Sequence, residues 1–204
     1  MIKMLLARLQ QGYRTIPFPD GPPPALSDRF RGRPGIDESK CNPKQCQECA
    51  DACPTGAIDF KGKIKIDLGK CLFCADCLTA CPKEAITCEQ DYRLAVRQRQ
   101  DLIVEQGETL KLAAELDAKV RKLFGRSLAL RKTYDATPKP KLVIAVGACA
   151  ISGGPYIDHG EVANGADSML PVDLYIPGCP PHPLTILDGI LRLLGRIRTD
   201  QSHD

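Results

Sequence analysis

The 204-residue sequence contains no tryptophan, only three histidines and 5% aromatic residues. It has no apolar run near the roughly 20 residues that a membrane-crossing helix needs, so no transmembrane span is expected. Positive charge is thin. The net charge is +3, and the richest stretch, residues 89–141, holds 12 Lys and Arg against 8 Asp and Glu, too dilute to predict a nucleic-acid partner. No GxGxxG pattern or Walker A loop occurs, and no nucleophile or acid–base pair stands out, so independent catalysis is not expected. His159, His182 and His203 read as surface residues without a proton-transfer role. The opening nine residues, MIKMLLARL, have a lysine and a short apolar run but no small-residue cleavage site after them. They predict a chain retained in a reducing cytoplasm rather than a secreted disulfide framework.

What the sequence has in excess is cysteine: eleven, an odd number. Eight lie between residues 41 and 81, and the surrounding composition suggests four segments. Residues 1–40 read as a short amphipathic helix and a tether, since residues 15–35 contain six prolines. Residues 41–90 hold the cysteine cluster. Residues 91–132 contain no proline and read as a helical linker, with Leu110, Ala113, Leu116, Val120, Leu123 and Leu128 at mostly helical spacing. Residues 133–204 change texture: LVIAV and DLYIPG predict two buried strands, and PLTILDGILRLLG a closing amphipathic helix.

The cysteine cluster is a repeat. Cys46, Cys49, Cys53, Pro54, Ala57 and Ile58 recur 28 residues later as Cys74, Cys77, Cys81, Pro82, Ala85 and Ile86. The second copy has the spacing CxxCxxCxxxCP, and the first has it with two residues inserted after Cys41. Three cysteines on one tight loop hold three corners of an iron–sulfur cube, and the fourth points to the other cube. Cross-ligation assigns Cys41, Cys46, Cys49 and Cys81 to a first [4Fe-4S] centre, and Cys71, Cys74, Cys77 and Cys53 to a second. Zinc is the competing reading of any CxxC pair, but its sites draw on two separated pairs. The spacing of Cys41, Cys46 and Cys49 also occurs in plant-type [2Fe-2S] sites, which would leave Cys53 and the whole second copy without a role. Cys88, equivalent to Phe60 in the repeat, reads as a packed strand residue rather than a ligand.

Residues 41–88 resemble the bacterial two-cluster ferredoxin domain. The strings VGACAISGGPY and VDLYIPGCPPHP resemble the small electron-transfer subunit shared by membrane-bound [NiFe] hydrogenases, including formate hydrogenlyase, and the B subunit of respiratory complex I. RFRGRPGIDESKC resembles the approach to the first cysteine in the ferredoxin subunits of those complexes. The resemblance implies that Cys149 and Cys179 are two ligands of a further [4Fe-4S] cluster, with Gly147, Gly153, Gly154 and Gly178 allowing close backbone approach. The family's other two ligands come from an earlier CC or CxxCE segment. This chain has no cysteine between Cys88 and Cys149. The join near Arg131 and Lys132 therefore reads as an internal deletion, leaving Cys149 and Cys179 as remnants and a third cluster not expected.

The fold class expected is α+β: a 2[4Fe-4S] ferredoxin-like domain, a helical linker and an incomplete flavodoxin-like α/β domain. The function implied is an electron relay in a membrane-associated hydrogenase or formate hydrogenlyase complex. Its partners would be a [NiFe] hydrogenase-type large subunit and membrane subunits, and its location the cytoplasmic face of the membrane. The alternatives are a component of a complex I-like NADH-quinone oxidoreductase, or a free ferredoxin-like carrier with a non-functional carboxy-terminal half.

Overall fold

The computed structural model describes residues 18–37, 39–41, 46–60, 63–105, 110–113, 141–160 and 162–197. The chain divides into two compact units, Met1–Phe30 and Arg31–Asp204. The described part of the first, residues 18–30, contains no helix or strand, as expected where prolines fix φ and remove backbone donors. A backbone bond there closes a turn from Phe30 N–H to Ser27 C=O at 2.8 Å.

The second unit opens with two interleaved halves. Strand β1 (Pro34–Ile36) pairs antiparallel with β4 (Ile86–Cys88), placing Ile36 opposite Ile86. Strand β2 (Ile58–Asp59) pairs with β3 (Lys65–Asp67), placing Ile58 opposite Ile66. Short helices α1 (Glu48–Asp51) and α2 (Asp76–Ala80) pack on one another. The halves match down to single bonds: Asp37 N–H donates to Ala85 C=O at 2.8 Å, and Asp67 N–H to Ala57 C=O at the same distance. Pro34 thus belongs to a packed strand rather than to the tether expected through residue 35. It tolerates this place because it starts an edge strand.

Residues 91–105 differ from the expected helix. Tyr92, Leu94 and Val96 are buried while Arg93, between the first two, and Arg97, after the last, are partly exposed, an alternation of extended chain that buried Ala95 interrupts. Val96 makes an antiparallel bridge to Tyr175, and after a 3-10 turn at Arg99–Leu102 strand β5 (Ile103–Glu105) pairs with β3. β-branched Ile103 and Val104 favour this conformation. Leu110 and Ala113 lie in irregular chain, with Ala113 N–H bonded to Ala95 C=O at 2.8 Å. Leu116, Val120, Leu123, Leu128 and the join at Arg131 and Lys132 lie outside the described residues.

The carboxy-terminal elements form as expected. Strands β6 (Ile144–Val146) and β7 (Leu174–Ile176) pair in parallel, α3 (Ala148–Ser152) follows β6, and α4 (Pro183–Leu193) follows β7. His182 caps α4, its Nδ1 accepting from Leu184 N–H at 3.2 Å, with Pro183 in the first helical turn. These elements do not stand apart from the ferredoxin-like halves. Ile151, Ala145 and Tyr175 share one apolar core with Ile64, Ile66, Leu68, Leu102 and Val104. Gly69 is the closest joint: a Cβ there would lie 2.7 Å from Ile151 Cγ2, and its C=O accepts from Ser152 Oγ at 3.0 Å.

Helix α4 also buries an ion pair. Arg192 Nε donates to Asp188 Oδ2 at 2.8 Å, with both side chains almost fully covered. Burial raises the Asp188 carboxyl above its ordinary range despite the guanidinium beside it. Asp188 Oδ1 and Arg192 Nη1 have no hydrogen-bond partner among the described residues. The pair is therefore costly to break and of little net value intact. Asp188→Ala, which strands a buried guanidinium, should lower stability by about 3–5 kcal/mol in urea unfolding. The double variant Asp188→Leu/Arg192→Met should recover most of that loss. Equal loss in both would show that packing, not the stranded charge, is responsible.

Candidate metal centres

Two cavities lie between the repeat halves, and the cysteines divide between them. The first is lined by Cys41, Cys46, Cys49 and Cys81 together with Phe60, Ile64 and Ile86, with an empty volume of about 340 Å³ including its mouth. The second is lined by Cys53, Cys71, Cys74 and Cys77, together with Cys88, Pro34, Ile58, Ile66 and Phe73, and measures about 500 Å³ on the same basis. Each cavity takes three thiols from one copy of the motif and one from the other. The helices explain the crossing: Cys49 lies on α1 and Cys77 on α2, while Cys53 and Cys81 follow those helices and turn towards the opposite half.

Both approaches to the cavities are held by an aspartate-led turn. Asp37 Oδ1 accepts from Ser39 N–H at 2.9 Å and Asp37 C=O from Cys41 N–H at 3.1 Å. Asp67 repeats this with Gly69 N–H at 2.9 Å and Cys71 N–H at 3.0 Å. The strings IDESKC and IDLGKC, 30 residues apart, carry this signal in the sequence. Asp67 is further clamped by Arg99, whose Nη1 and Nη2 reach its two oxygens at 2.8 and 2.7 Å, the two-pronged geometry a guanidinium offers a carboxylate. In the second loop Phe73 and Ala75 adopt positive φ, 54° and 72°. Such non-glycine residues cost about 1–2 kcal/mol each, a strain that wraps the loop around its cavity.

Backbone donors already face the sulfurs. Cys53 Sγ accepts from Ala57 N–H at 3.2 Å, Cys81 Sγ from Ala85 N–H at 3.3 Å, and Cys71 Sγ from Phe73 N–H at 3.4 Å. Four thiols around an apolar cavity, with amide hydrogens directed at the sulfurs, fit an anionic iron–sulfur core. Without such a core the same burial holds protons on the thiols. Burial, then the neighbouring Cys81, Cys41 and Cys46, pushes the Cys49 thiol up to about 11. Burial likewise pushes Cys71 and Cys77 to about 12. Among the described residues no three Cys, His, Asp or Glu side chains converge on a point that would hold a single metal ion.

Cys149 and Cys179 come together elsewhere. Ala148 N–H donates to Gly178 C=O at 3.0 Å, so the residue after each member of that bonded pair is a cysteine, at the carboxyl ends of parallel β6 and β7. Both are exposed, and burial together with Cys149 raises the Cys179 thiol. Gly178, at φ 144°, lies where a Cβ would strike Pro181 Cα at 2.4 Å. Two thiols do not fit a four-thiolate cluster. The sole cysteine left over, Cys88, lines the second cavity rather than this one. It is a half-buried residue of strand β4, as read from the sequence, and its repeat equivalent Phe60 likewise lines the first cavity.

The raised thiols have a consequence for the metal-free protein. The unfolded chain releases these protons near 9.0, whereas the folded one holds them to about 11 or 12. Stability present below pH 9 should therefore fall as pH climbs towards 12. Urea midpoints of the apoprotein should drop across that window. A flat profile would contradict the burial of these thiols.

Residues 40–85 match the family described as "4Fe-4S dicluster domain". Two curated relatives are B subunits of NADH-quinone oxidoreductase: that of Clostridium beijerinckii is 54% identical over 68 residues, and the first of those of Salinispora tropica is 49% identical over 74. These alignments cover 33% and 36% of this chain, and the chain spans about 40% and 39% of the relatives' lengths. The family described as "NADH ubiquinone oxidoreductase, 20 Kd subunit" matches residues 63–193, most of the sequence, and the chain, which also carries a ferredoxin-like 4Fe-4S domain, belongs to that family.

Proposed function

We propose that this chain is an iron–sulfur electron-transfer subunit of a complex I-like NADH-quinone oxidoreductase. The observation that carries the reading is the pair of cavities, each lined by four of the eight motif thiols, contributed crosswise by the two repeat halves. On this reading Cys41, Cys46, Cys49 and Cys81 hold one [4Fe-4S] centre, and Cys53, Cys71, Cys74 and Cys77 the other. Each centre supplies reversible one-electron storage. The protein's part is to place the thiolates, aim the amides of Ala57, Ala85 and Phe73 at them, and keep water off the apolar walls.

The names of the relatives favour the quinone-oxidoreductase reading over the hydrogenase expected from the fused architecture. The partners are then the other subunits of such a complex. Among the described residues no helix is long and apolar enough to cross a membrane, which is consistent with attachment through those subunits. Cys149 and Cys179 complete no third cluster on this chain alone.

Iron and acid-labile sulfide after anaerobic purification should come to about eight of each per chain, the content of two cubes. About twelve would overturn the two-centre account, and about four would leave one cavity without a cluster. Affinity purification from the native membrane should bring a quinone-reactive assembly. Recovery of a nickel-containing partner would restore the hydrogenase reading, and a stable monomer would favour the free carrier.

A further inference from the structure

Arg31 reaches the loop of the second cavity from the approach to β1. Its Nη1 donates to Phe73 C=O at 3.3 Å and also to Cys74 C=O, and both of those residues line the cavity. Neither carbonyl accepts a backbone N–H among the described residues, so the guanidinium is the donor that satisfies them. The chain that carries Arg31 is fixed in place. Gly32 N–H donates to Glu89 C=O at 3.2 Å, Arg33 N–H to Asp91 C=O at 3.3 Å, and the Arg33 side chain pairs with Glu89 at 2.6 Å. Gly32 leaves no freedom there, since a Cβ would lie 2.3 Å from the Asp91 carbonyl oxygen. Arg31 is exposed, yet its stem and its head are both held.

The two cavities differ in charge. Lys40 and Lys83 line the first, whereas no charged side chain lines the second. Arg31 therefore brings to the second cavity a cation that its walls lack. A fixed positive charge favours the reduced, more negative state of a nearby cluster and so raises its potential. We propose that Arg31 tunes the second centre, its guanidinium bound to the Phe73 and Cys74 carbonyls so that a positive charge stays beside that cluster. The inference rests on the two-centre reading above. Arg31 forms no bond to the cluster and keeps its protons throughout, because a guanidinium does not titrate in a protein.

Potentiometric titration of the reconstituted full-length protein, followed by electron paramagnetic resonance, tests this. Arg31→Gln keeps an N–H donor and loses the charge. It should lower one midpoint by about threefold in the reduction equilibrium, about 28 mV for one electron, a modest effect because solvent screens an exposed charge. Arg31→Lys should keep the wild-type midpoint, since one nitrogen serves both carbonyls and an ammonium can replace it. The shift caused by Arg31→Gln should shrink in about 1 M salt, where the screening length is roughly 3 Å. Lys83→Gln, at the wall of the first cavity, should move the other midpoint. If the wild-type centres titrate together, Arg31→Gln should split the titration into two equal steps. Unmoved midpoints in an Arg31→Gln protein that holds about eight irons would overturn the inference alone, as would a shift that Arg31→Lys shares or that falls on the midpoint moved by Lys83→Gln. A wild type with about four irons and a single midpoint would defeat the two-centre reading, and the inference with it.

Discussion

Each cavity of this protein is closed by a thiol from the other half of the repeat, and the rest of the architecture follows from that exchange. Cys53 leaves the first motif to line the second cavity, and Cys81 leaves the second to line the first. Neither half can form its site alone. The exchange requires α1 and α2 to lie against each other and the two strand pairs, β1 with β4 and β2 with β3, to flank them. It also explains why the strands are so short. They need only fix where the aspartate turns at Asp37 and Asp67 release the chain into the cysteine loops.

The carboxy-terminal elements are bound into this arrangement rather than attached to it. Asp67, which sets the start of the second loop, is held by Arg99, and Gly69 two residues on is pressed against Ile151 and bonded by Ser152. Cys149 lies on the same helix as Ile151 and Ser152. The edge of the second cavity and the pair of exposed thiols at β6 and β7 are therefore joined through one short helix and one glycine. A single apolar core that includes Ile64, Ile151 and Tyr175 spans that joint.

The cysteine sets are legible in the sequence because ligand spacing is a local property: CxxCxxCxxxCP places its sulfurs within one loop and one turn of helix whatever surrounds them. Strands β6 and β7 and helix α4 are legible too, since LVIAV and DLYIPG are short apolar runs set off by Gly and Pro, and PLTILDGILRLLG carries a helical period. Residues 91–105 are not, because the absence of proline and the helical spacing further on at 110–128 mask the alternation of Tyr92, Leu94 and Val96. Buried Ala95 in the midst of that alternation blurs it further. Cys88 is legible as a packed strand position but not as part of a cavity wall, because whether its repeat equivalent packs into a core or against a site depends on tertiary contacts that spacing does not encode.

On the proposed two-centre reading, cavities interlocked by exchanged cysteines hold their clusters at close range. Electron paramagnetic resonance of the fully reduced protein tests that claim most directly. Two centres so interlocked should give a spectrum broadened and split by mutual spin coupling, collapsing to a simple uncoupled signal at partial reduction. A simple uncoupled signal that persists at full reduction would contradict the account.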